Sequence, residues 1–217
     1  MTQLIVENPN KTKRYRELGS VDISSIKDDI LNLSEEYWQM HDRIKPNSFG
    51  VFTGSTQHIV FKFIDDYDAA FPNFIEYPIW LEWKDKLEPI MKAVTAQYGY
   101  TESTFGKIML AKLRRGAKIG LHEDTPLSSA YPHKIHIPIK TNPDVKFFID
   151  DQTYHLEVGK AYEVNNRTIH GGANEGDCDR IHLIFTYYDR KLNVLSAEEV
   201  EAINANLMKQ VEESEKY

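Results

Sequence analysis

The fold is decided by residues 120–149, GLHEDTPLSSAYPHKIHIPIKTNPDVKFFI, and residues 159–185, GKAYEVNNRTIHGGANEGDCDRIHLIF. Both stretches consist of short runs of β-branched and aromatic residues that closely spaced turn formers separate. This pattern is typical of an antiparallel sandwich or barrel. It predicts strands near 106–114, 133–140, 145–149, 153–158, 161–165 and 180–187, with a hairpin loop at 150–152.

Helical patterns flank this strand-rich region on both sides. Residues 24–40 and 79–98 place apolar side chains at steps of three or four, which predicts two N-terminal amphipathic helices. Pro89 lies within the second, so that helix either kinks there or begins near the proline. Residues 50–65 predict two strands with a turn between them, and residues 195–217 predict a C-terminal helix. The fold class expected from this order of elements is α+β.

The bulk composition limits the class of protein. A chain of 217 residues, 41% of them hydrophobic, can bury one core, which predicts a single domain. No window approaches the roughly 18 apolar residues of a membrane span, and the first residues lack the apolar core of a secretion signal. The single cysteine, Cys178, excludes an internal disulfide and favours a reducing compartment, so we expect a cytoplasmic protein. The net charge of -7 disfavours nucleic acid as a partner, and basic clusters at 11–16 and 114–118 are interpreted as solvated surface.

Three residues form a candidate metal site. His122 and Asp124 are separated by one residue, so on an extended segment both side chains point the same way. His170, at the end of a strand and before Gly171 and Gly172, supplies a third ligand. Two histidines and one carboxylate form the facial set that holds iron(II) and leaves open positions for substrate and oxygen. Zinc is the alternative metal, and the lack of an HExxH helix in the sequence argues against it.

Alternation along two strands brings cationic side chains together. In residues 134–139, Lys134 and His136 share one face and isoleucines occupy the other; Arg180 and His182 share a face in the same way. One explanation is that the polar faces contact water and the isoleucines form the core. The other is a polar barrel interior, with the apolar faces packed under the N-terminal helices. In that case the cluster of cations would suit a bound dianion.

The two stretches together resemble the aspartyl/asparaginyl β-hydroxylase-like branch of the iron(II)- and 2-oxoglutarate-dependent oxygenases, over about residues 106–188. The resemblance depends on four features: the histidine-x-aspartate pair at 122–124, the basic-x-histidine strand, the asparagine pair before His170, and the arginine ten residues after it. It implies a double-stranded β-helix, which is a cupin-like jelly roll, flanked by the N-terminal helices and a C-terminal helix. Residues 1–217 would form one oxygenase domain.

The resemblance also implies a role for each candidate residue. His122, Asp124 and His170 would bind iron(II), and Arg180 would pair with the distal carboxylate of 2-oxoglutarate. Lys134 and His136 would contact the other end of this cosubstrate, and dioxygen would be the oxidant. The family often has arginine where this chain has Lys134, and lysine offers a point charge instead of a bidentate fork.

The substrate class is the remaining question at this point. The resemblance implies hydroxylation of a free amino acid, or of an aspartyl or asparaginyl side chain in a peptide or protein, with loops 65–80 and 125–132 as candidate contacts. Oxidative demethylation of nucleic acid on the same fold is an alternative that would require a basic groove. A non-catalytic cupin-like binding module is a third possibility, which would release no succinate from 2-oxoglutarate.

Overall fold

The computed structural model describes residue 8 and residues 10–46, 50–69 and 71–191. The predicted C-terminal helix at 195–217 lies outside the described residues. The strands are β1 Tyr15–Ser20, β2 Thr56–Ile64, β3 Phe74–Glu76, β4 Ser103–Leu113, β5 Lys118–His122, β6 His133–Lys140, β7 Val145–Ile149, β8 Gln152–Tyr154, β9 Lys160–Val164, β10 His170–Asn174 and β11 Arg180–Asp189. The helices are α1 Ser24–Leu31, α2 Glu35–Arg43 and α3 Trp80–Thr95.

The strands form two antiparallel sheets. The larger sheet has the order β1-β9-β6-β11-β4-β2-β3, and the smaller has the order β5-β10-β7-β8. Every neighbouring pair in both sheets is antiparallel. The described part of the chain is therefore mostly β-sheet with a few helices, as the turn-rich texture of residues 106–190 predicts.

The main hydrophobic core lies between the larger sheet and the helices. The isoleucines of β6 and the alternating apolar residues of β11 belong to the same cluster as Ile26 of α1 and Leu87 and Met91 of α3. On the opposite face of these strands, His136 and Arg180 are buried as well. The explanation that the polar faces of β6 and β11 contact water is therefore wrong for His136 and Arg180. Both side chains point into a polar interior, as the other explanation predicts.

The predicted helices are confirmed in part. The helix expected at 24–40 is divided into α1 and α2, because Ser34 caps α2 by accepting a hydrogen bond on its Oγ from the backbone NH of Tyr37 (3.2 Å). Helix α3 runs through Pro89 and does not begin there. It continues as a short 3-10 turn to Gly99, whose φ of 67° is the left-handed conformation of a helix C-cap. No helix in the described ranges is long and apolar enough to cross a membrane.

The strand predictions are confirmed best where the apolar runs are strongest. The strands at 133–140 and 145–149 have the predicted bounds. The prediction of two strands in 50–65 is wrong, because residues 50–52 form a 3-10 turn before β2. Strand β3 was not expected, and neither were strands β1, β5 and β10. The sequences of β1, β5 and β10 are polar or rich in glycine and have little local propensity for strands. Their conformation is determined by pairing with strands that are distant in sequence.

Candidate active site

A cavity of about 190 Å³ lies between the two sheets. Its lining comes from β2, β4, β6 and β11 of the larger sheet and from β5, β7 and β10 of the smaller one. The six residues that the sequence singled out all contribute to it: His122, Asp124, Lys134, His136, His170 and Arg180. The fold therefore brings together side chains that are up to 58 residues apart in sequence.

Strand pairing places the two histidines side by side. His122 is the last residue of β5, and it is the register partner of His170, the first residue of β10. The prediction that His170 ends a strand is therefore wrong, since its place is fixed by pairing with β5 and β7. The two ring centroids are 4.2 Å apart.

The hydrogen bonds of the two rings leave one nitrogen of each for a ligand. The Nδ1 of His122 lies 2.9 Å from the carbonyl oxygen of Gly120, and the Nδ1 of His170 lies 2.9 Å from that of Thr168. A carbonyl can only accept, so each Nδ1 carries the proton and each Nε2 has a free lone pair. The Nε2 of His122 is buried without a hydrogen-bond partner in the described part of the chain. This backbone anchoring is the arrangement that orients metal-binding imidazoles.

The Asp124 carboxylate is held by two donors on one oxygen. Its Oδ2 accepts hydrogen bonds from Lys134 Nζ and Asn166 Nδ2, both at 2.8 Å, and its Oδ1 lies 3.7 Å from His122 Nε2. Burial raises the pKa of Asp124, but the charge of Lys134 and the hydrogen bonds from Lys134 and Asn166 outweigh that effect. The net pKa lies well below the usual range, so the carboxylate is ionised at neutral pH with Oδ1 turned towards the histidines.

The three side chains form a donor set that fits a divalent metal. One ligand-type atom from each of His122, Asp124 and His170 lies within 4.8 Å of the others. Burial, followed by the charge of Lys134, lowers the pKa of His170 to about 4, so this ring is neutral and able to coordinate near pH 7. Two imidazoles and a carboxylate match the facial set that iron(II) oxygenases use.

Arg180 is a buried cation without a partner in the part of the chain that the structure describes. Its exposed fraction is 3%, and no described residue forms a hydrogen bond or an ion pair with its guanidinium. Burial lowers the pKa of Arg180 to about 10, so the group remains charged at neutral pH. An uncompensated buried charge is costly. An anion bound at this end of the cavity would offset that cost.

His136 lies on the same side of the cavity. Burial, and then the charges of Lys134 and Arg180, keep the pKa of His136 well below its usual value, so the ring is neutral. Its Nδ1 lies 3.4 Å from Nδ1 of His182 on the neighbouring strand. Lys134 contacts Asp124, so contact of Lys134 with a cosubstrate stays a prediction.

The N-terminal segment supports the carboxylate from behind. Lys11 Nζ donates to Asn166 Oδ1 (2.9 Å) and to the carbonyl oxygen of Ser129 (2.7 Å), which directs the amide NH2 of Asn166 towards Asp124. Lys11 is buried, so its interpretation as solvated surface is wrong: carbonyl and amide oxygens replace water around its ammonium. The neighbouring Asn165 instead binds the carbonyl oxygen of Lys13.

Two residues of the cavity wall were missed at the level of sequence, Lys107 and His58. A signal for Lys107 was present, because Lys107, Met109 and Ala111 alternate with the core residues of β4 in the same way that Lys134 and His136 alternate with isoleucines. His58 is buried beside Asp42, with 3.5 Å between Nδ1 and Oδ1, and no sequence pattern pointed to it.

Comparison with known proteins gives a family and a fold. A sequence profile of the aspartyl/asparaginyl β-hydroxylase family matches residues 73–190. No curated protein sequence matches the chain. A prolyl hydroxylase from Trichoplax adhaerens, solved in complex with a hypoxia inducible factor oxygen degradation domain peptide fragment, is 11% identical, with a TM-score of 0.53 over 83% of this chain and 86% of its own. AviO1 from Streptomyces viridochromogenes Tue57 is 14% identical, with a TM-score of 0.51 over 84% and 93%. At these identities the two structures are similar to this chain in fold alone.

Proposed function

Because the chain belongs to the aspartyl/asparaginyl β-hydroxylase family of 2-oxoglutarate and iron(II) oxygenases, we propose that it hydroxylates a carbon atom of an amino acid, or of an aspartyl- or asparaginyl-type side chain in a peptide or protein. The cosubstrates are 2-oxoglutarate and dioxygen. The combination of a buried, unpartnered Arg180 with three converging metal-type donors in one cavity supports this function most directly.

In this proposal His122, Asp124 and His170 hold iron(II). The metal supplies oxidation chemistry, in which 2-oxoglutarate is converted to succinate and carbon dioxide while the substrate gains a hydroxyl group. The chain contributes orientation: backbone carbonyls fix the tautomer of both imidazoles. Lys134 and Asn166 occupy Oδ2 of Asp124, which leaves Oδ1 for the metal.

Arg180 then binds the distal carboxylate of 2-oxoglutarate. A guanidinium offers a planar, bidentate fork to a carboxylate, and in a dry cavity this pairing removes the cost of an isolated charge. His136 and Lys134 lie where they can contact the other end of the cosubstrate. The neutral state of His136 allows it to donate or accept a hydrogen bond without adding charge.

The proposal includes the architecture of the catalytic core. We assign it to a double-stranded β-helix, with residues 106–188 as the motif region of a single oxygenase domain that spans residues 1–217. Two facing antiparallel sheets with the cavity between them support this assignment, as does the match of one family profile to residues 73–190.

The test is whether the purified protein releases succinate from 2-oxoglutarate with iron(II) and ascorbate, alone and with a panel of amino acids and aspartyl or asparaginyl peptides. We expect release that stops in Asp124→Ala and continues in Asp151→Ala, a matched variant whose carboxylate is 76% exposed on the hairpin loop. Mass spectrometry should find one added oxygen atom in a stimulating substrate. A folded protein that binds iron(II) yet releases no succinate under any of these conditions would contradict the proposed function.

A further inference from the structure

The cavity carries more positive charge than the proposed cosubstrates can neutralise. The charged side chains that line it are Lys107, Asp124, Lys134 and Arg180, which leaves two positive charges in excess. A divalent metal and the dianion 2-oxoglutarate cancel each other, so the excess persists in the loaded site. The chain as a whole has a net charge of -7, so this excess is a local property of the cavity. A further anion therefore fits the site.

Of the three cations Lys107, Lys134 and Arg180, one has an anionic partner in the structure and one has a proposed anionic partner. Lys134 forms an ion pair with Asp124 at 2.8 Å. Arg180 is the proposed partner of the distal carboxylate of 2-oxoglutarate. Lys107 is the remaining cation, and among the described residues no carboxylate lies within ion-pair distance of its ammonium. The one hydrogen bond of its ammonium to a described residue is long, 3.4 Å from Nζ to Ser128 Oγ.

The surroundings of Lys107 hold its ammonium in a defined place. Its Nζ lies 5.6 Å from the ring centroid of Phe63 and 5.5 Å from that of Tyr67, so two aromatic faces partly replace water around the charge. Burial, together with the charge of Lys134, lowers the pKa of Lys107 to about 8, and the group is still mostly protonated at pH 7. An ammonium with aromatic walls and a weak hydroxyl partner is available for an incoming anion.

The position of Lys107 corresponds to the side of the cavity where we expect the substrate. Tyr67 and Ser128 belong to the loops at 65–80 and 125–132, which are the candidate substrate contacts, and the backbone NH of Ser128 donates to the carbonyl oxygen of Tyr67 at 3.0 Å. Both loops therefore meet at Lys107. Lys107 lines the same cavity as Asp124 and Lys134, so its side chain shares that cavity with the proposed metal site.

We propose that Lys107 binds a carboxylate of the substrate and so makes the enzyme selective for an acidic substrate over the corresponding amide. This inference rests on the proposed function and narrows its substrate class. A carboxylate would pair with the ammonium between Phe63 and Tyr67 and would neutralise part of the excess charge. An amide of the same shape can accept a hydrogen bond from the ammonium through its carbonyl oxygen, but it carries no charge and leaves the buried ammonium without a counter-ion. A buried charge without a counter-ion is costly, so the amide should bind less tightly than the acid.

The experiment compares pairs of probes that differ only in whether the side chain ends in a carboxylate or in an amide. The pairs are L-aspartate and L-asparagine, L-glutamate and L-glutamine, and an aspartyl peptide and its asparaginyl form. Binding is measured by calorimetry on the full chain loaded with zinc(II) and 2-oxoglutarate, and turnover by probe-stimulated succinate release with iron(II). We expect at least one acid to bind and stimulate roughly tenfold or more better than its amide. Lys107→Gln should bring that ratio close to one, and Lys107→Arg should retain most of it.

Two further variants make the outcome decisive. Lys92→Gln removes a lysine whose side chain is 66% exposed on α3, and it should leave the ratio unchanged. Lys107→Met keeps an apolar stem against Phe63 and Tyr67 if Lys107→Gln does not fold, and it should also abolish the preference. The inference is overturned if no acid exceeds its amide in the unsubstituted protein, or if the preference survives in a folded Lys107→Gln or Lys107→Met variant. Failure of the proposed function has a different signature, which is no succinate release under any condition, with or without a probe.

Discussion

Replacing Arg180 by methionine should stabilise the ligand-free protein and weaken 2-oxoglutarate binding. Arg180 is 3% exposed and its guanidinium has no described partner, and an unsatisfied buried polar group costs about 1–3 kcal/mol, more when it is charged. The decrease in the pKa of Arg180 from 12.5 to about 10 corresponds to a penalty of roughly 3 kcal/mol. This penalty applies at every pH below about 10, because the group is protonated in both the folded and the unfolded chain. Methionine retains the apolar stem without the charge, so the melting temperature should rise by roughly 4–10 °C.

The same substitution removes the proposed partner of the distal carboxylate. Truncation of one member of a buried charge pair costs about 2–4 kcal/mol, which corresponds to a dissociation constant roughly 30- to 1,000-fold higher. Iron(II) affinity should change little, since Arg180 makes no contact with His122, Asp124 or His170 in the described structure. The expected variant is therefore more stable, binds the metal, and requires far more 2-oxoglutarate.

Thermal unfolding of the ligand-free protein and calorimetric titration with 2-oxoglutarate measure the two effects. Lys112→Met is the matched control: Lys112 is a buried cation in the register position next to β11, but it pairs with Glu35 at 2.7 Å and lies over the ring of Trp38. That variant should lose stability and keep its affinity for 2-oxoglutarate. If Arg180→Met instead destabilises the free protein, or binds 2-oxoglutarate as the unsubstituted protein does, Arg180 has a structural role and the assignment fails.

Three further predictions concern the metal site. Asp124→Ala and His170→Ala should each abolish metal binding and iron-dependent turnover with an unchanged circular dichroism spectrum, and turnover in either variant would discredit the ligand set. In the metal-free protein, His170 takes up a proton near pH 6.5 in the unfolded chain but only near pH 4 in the folded chain. The free energy of unfolding should therefore fall as the pH decreases from 6.5 to 4, by up to about 3 kcal/mol from this residue. Urea titrations should show a smaller dependence on pH in His170→Asn. Gly171→Ala would place a Cβ 2.9 Å from the carbonyl oxygen of Ile119 and push β10 away from β5, so the dissociation constant of the metal should rise roughly tenfold. Gly172→Ala is the milder control, because its Cβ would lie 3.3 Å from its nearest contact. Equal effects of the two substitutions would show that the pairing of β10 with β5 does not determine the geometry of the metal site.

Local patterns predicted the parts of the fold whose side chains alternate strongly. The six residues 134–139 predict both the strand and its two unlike faces, because isoleucine at every second position requires one buried face. The same rule makes His122 and Asp124 neighbours and brings Lys134 and His136 to one side, and all of them line a single cavity. Their roles in binding metal and cosubstrate stay predictions.

Contacts between distant parts of the chain were beyond a local pattern. Lys11 donates a hydrogen bond to Asn166, which lies 155 positions later in the chain. The register partner of His122 is His170, the first residue of a strand that continues with Gly171 and Gly172. Neither pairing has a periodic signature, since each is set by how the sheets assemble. The break between α1 and α2 is different: Ser34 is a recognised capping residue type, but apolar residues on both sides continue the helical period and conceal it.

The buried groups that make the cavity costly to form are the ones that its proposed ligands would satisfy. Among the described residues, nothing pairs with the guanidinium of Arg180 or with Nε2 of His122, and burial holds His170 neutral. Burial of each of these groups destabilises the folded protein, and binding of a carboxylate or a metal offsets that cost. Ligand binding should therefore increase the stability of the folded protein. At a ligand concentration of 100 times the dissociation constant, one site contributes about 2.7 kcal/mol to stability. Metal and 2-oxoglutarate should therefore raise the melting temperature in succession, and in Arg180→Met the second increase should be lost while the first remains.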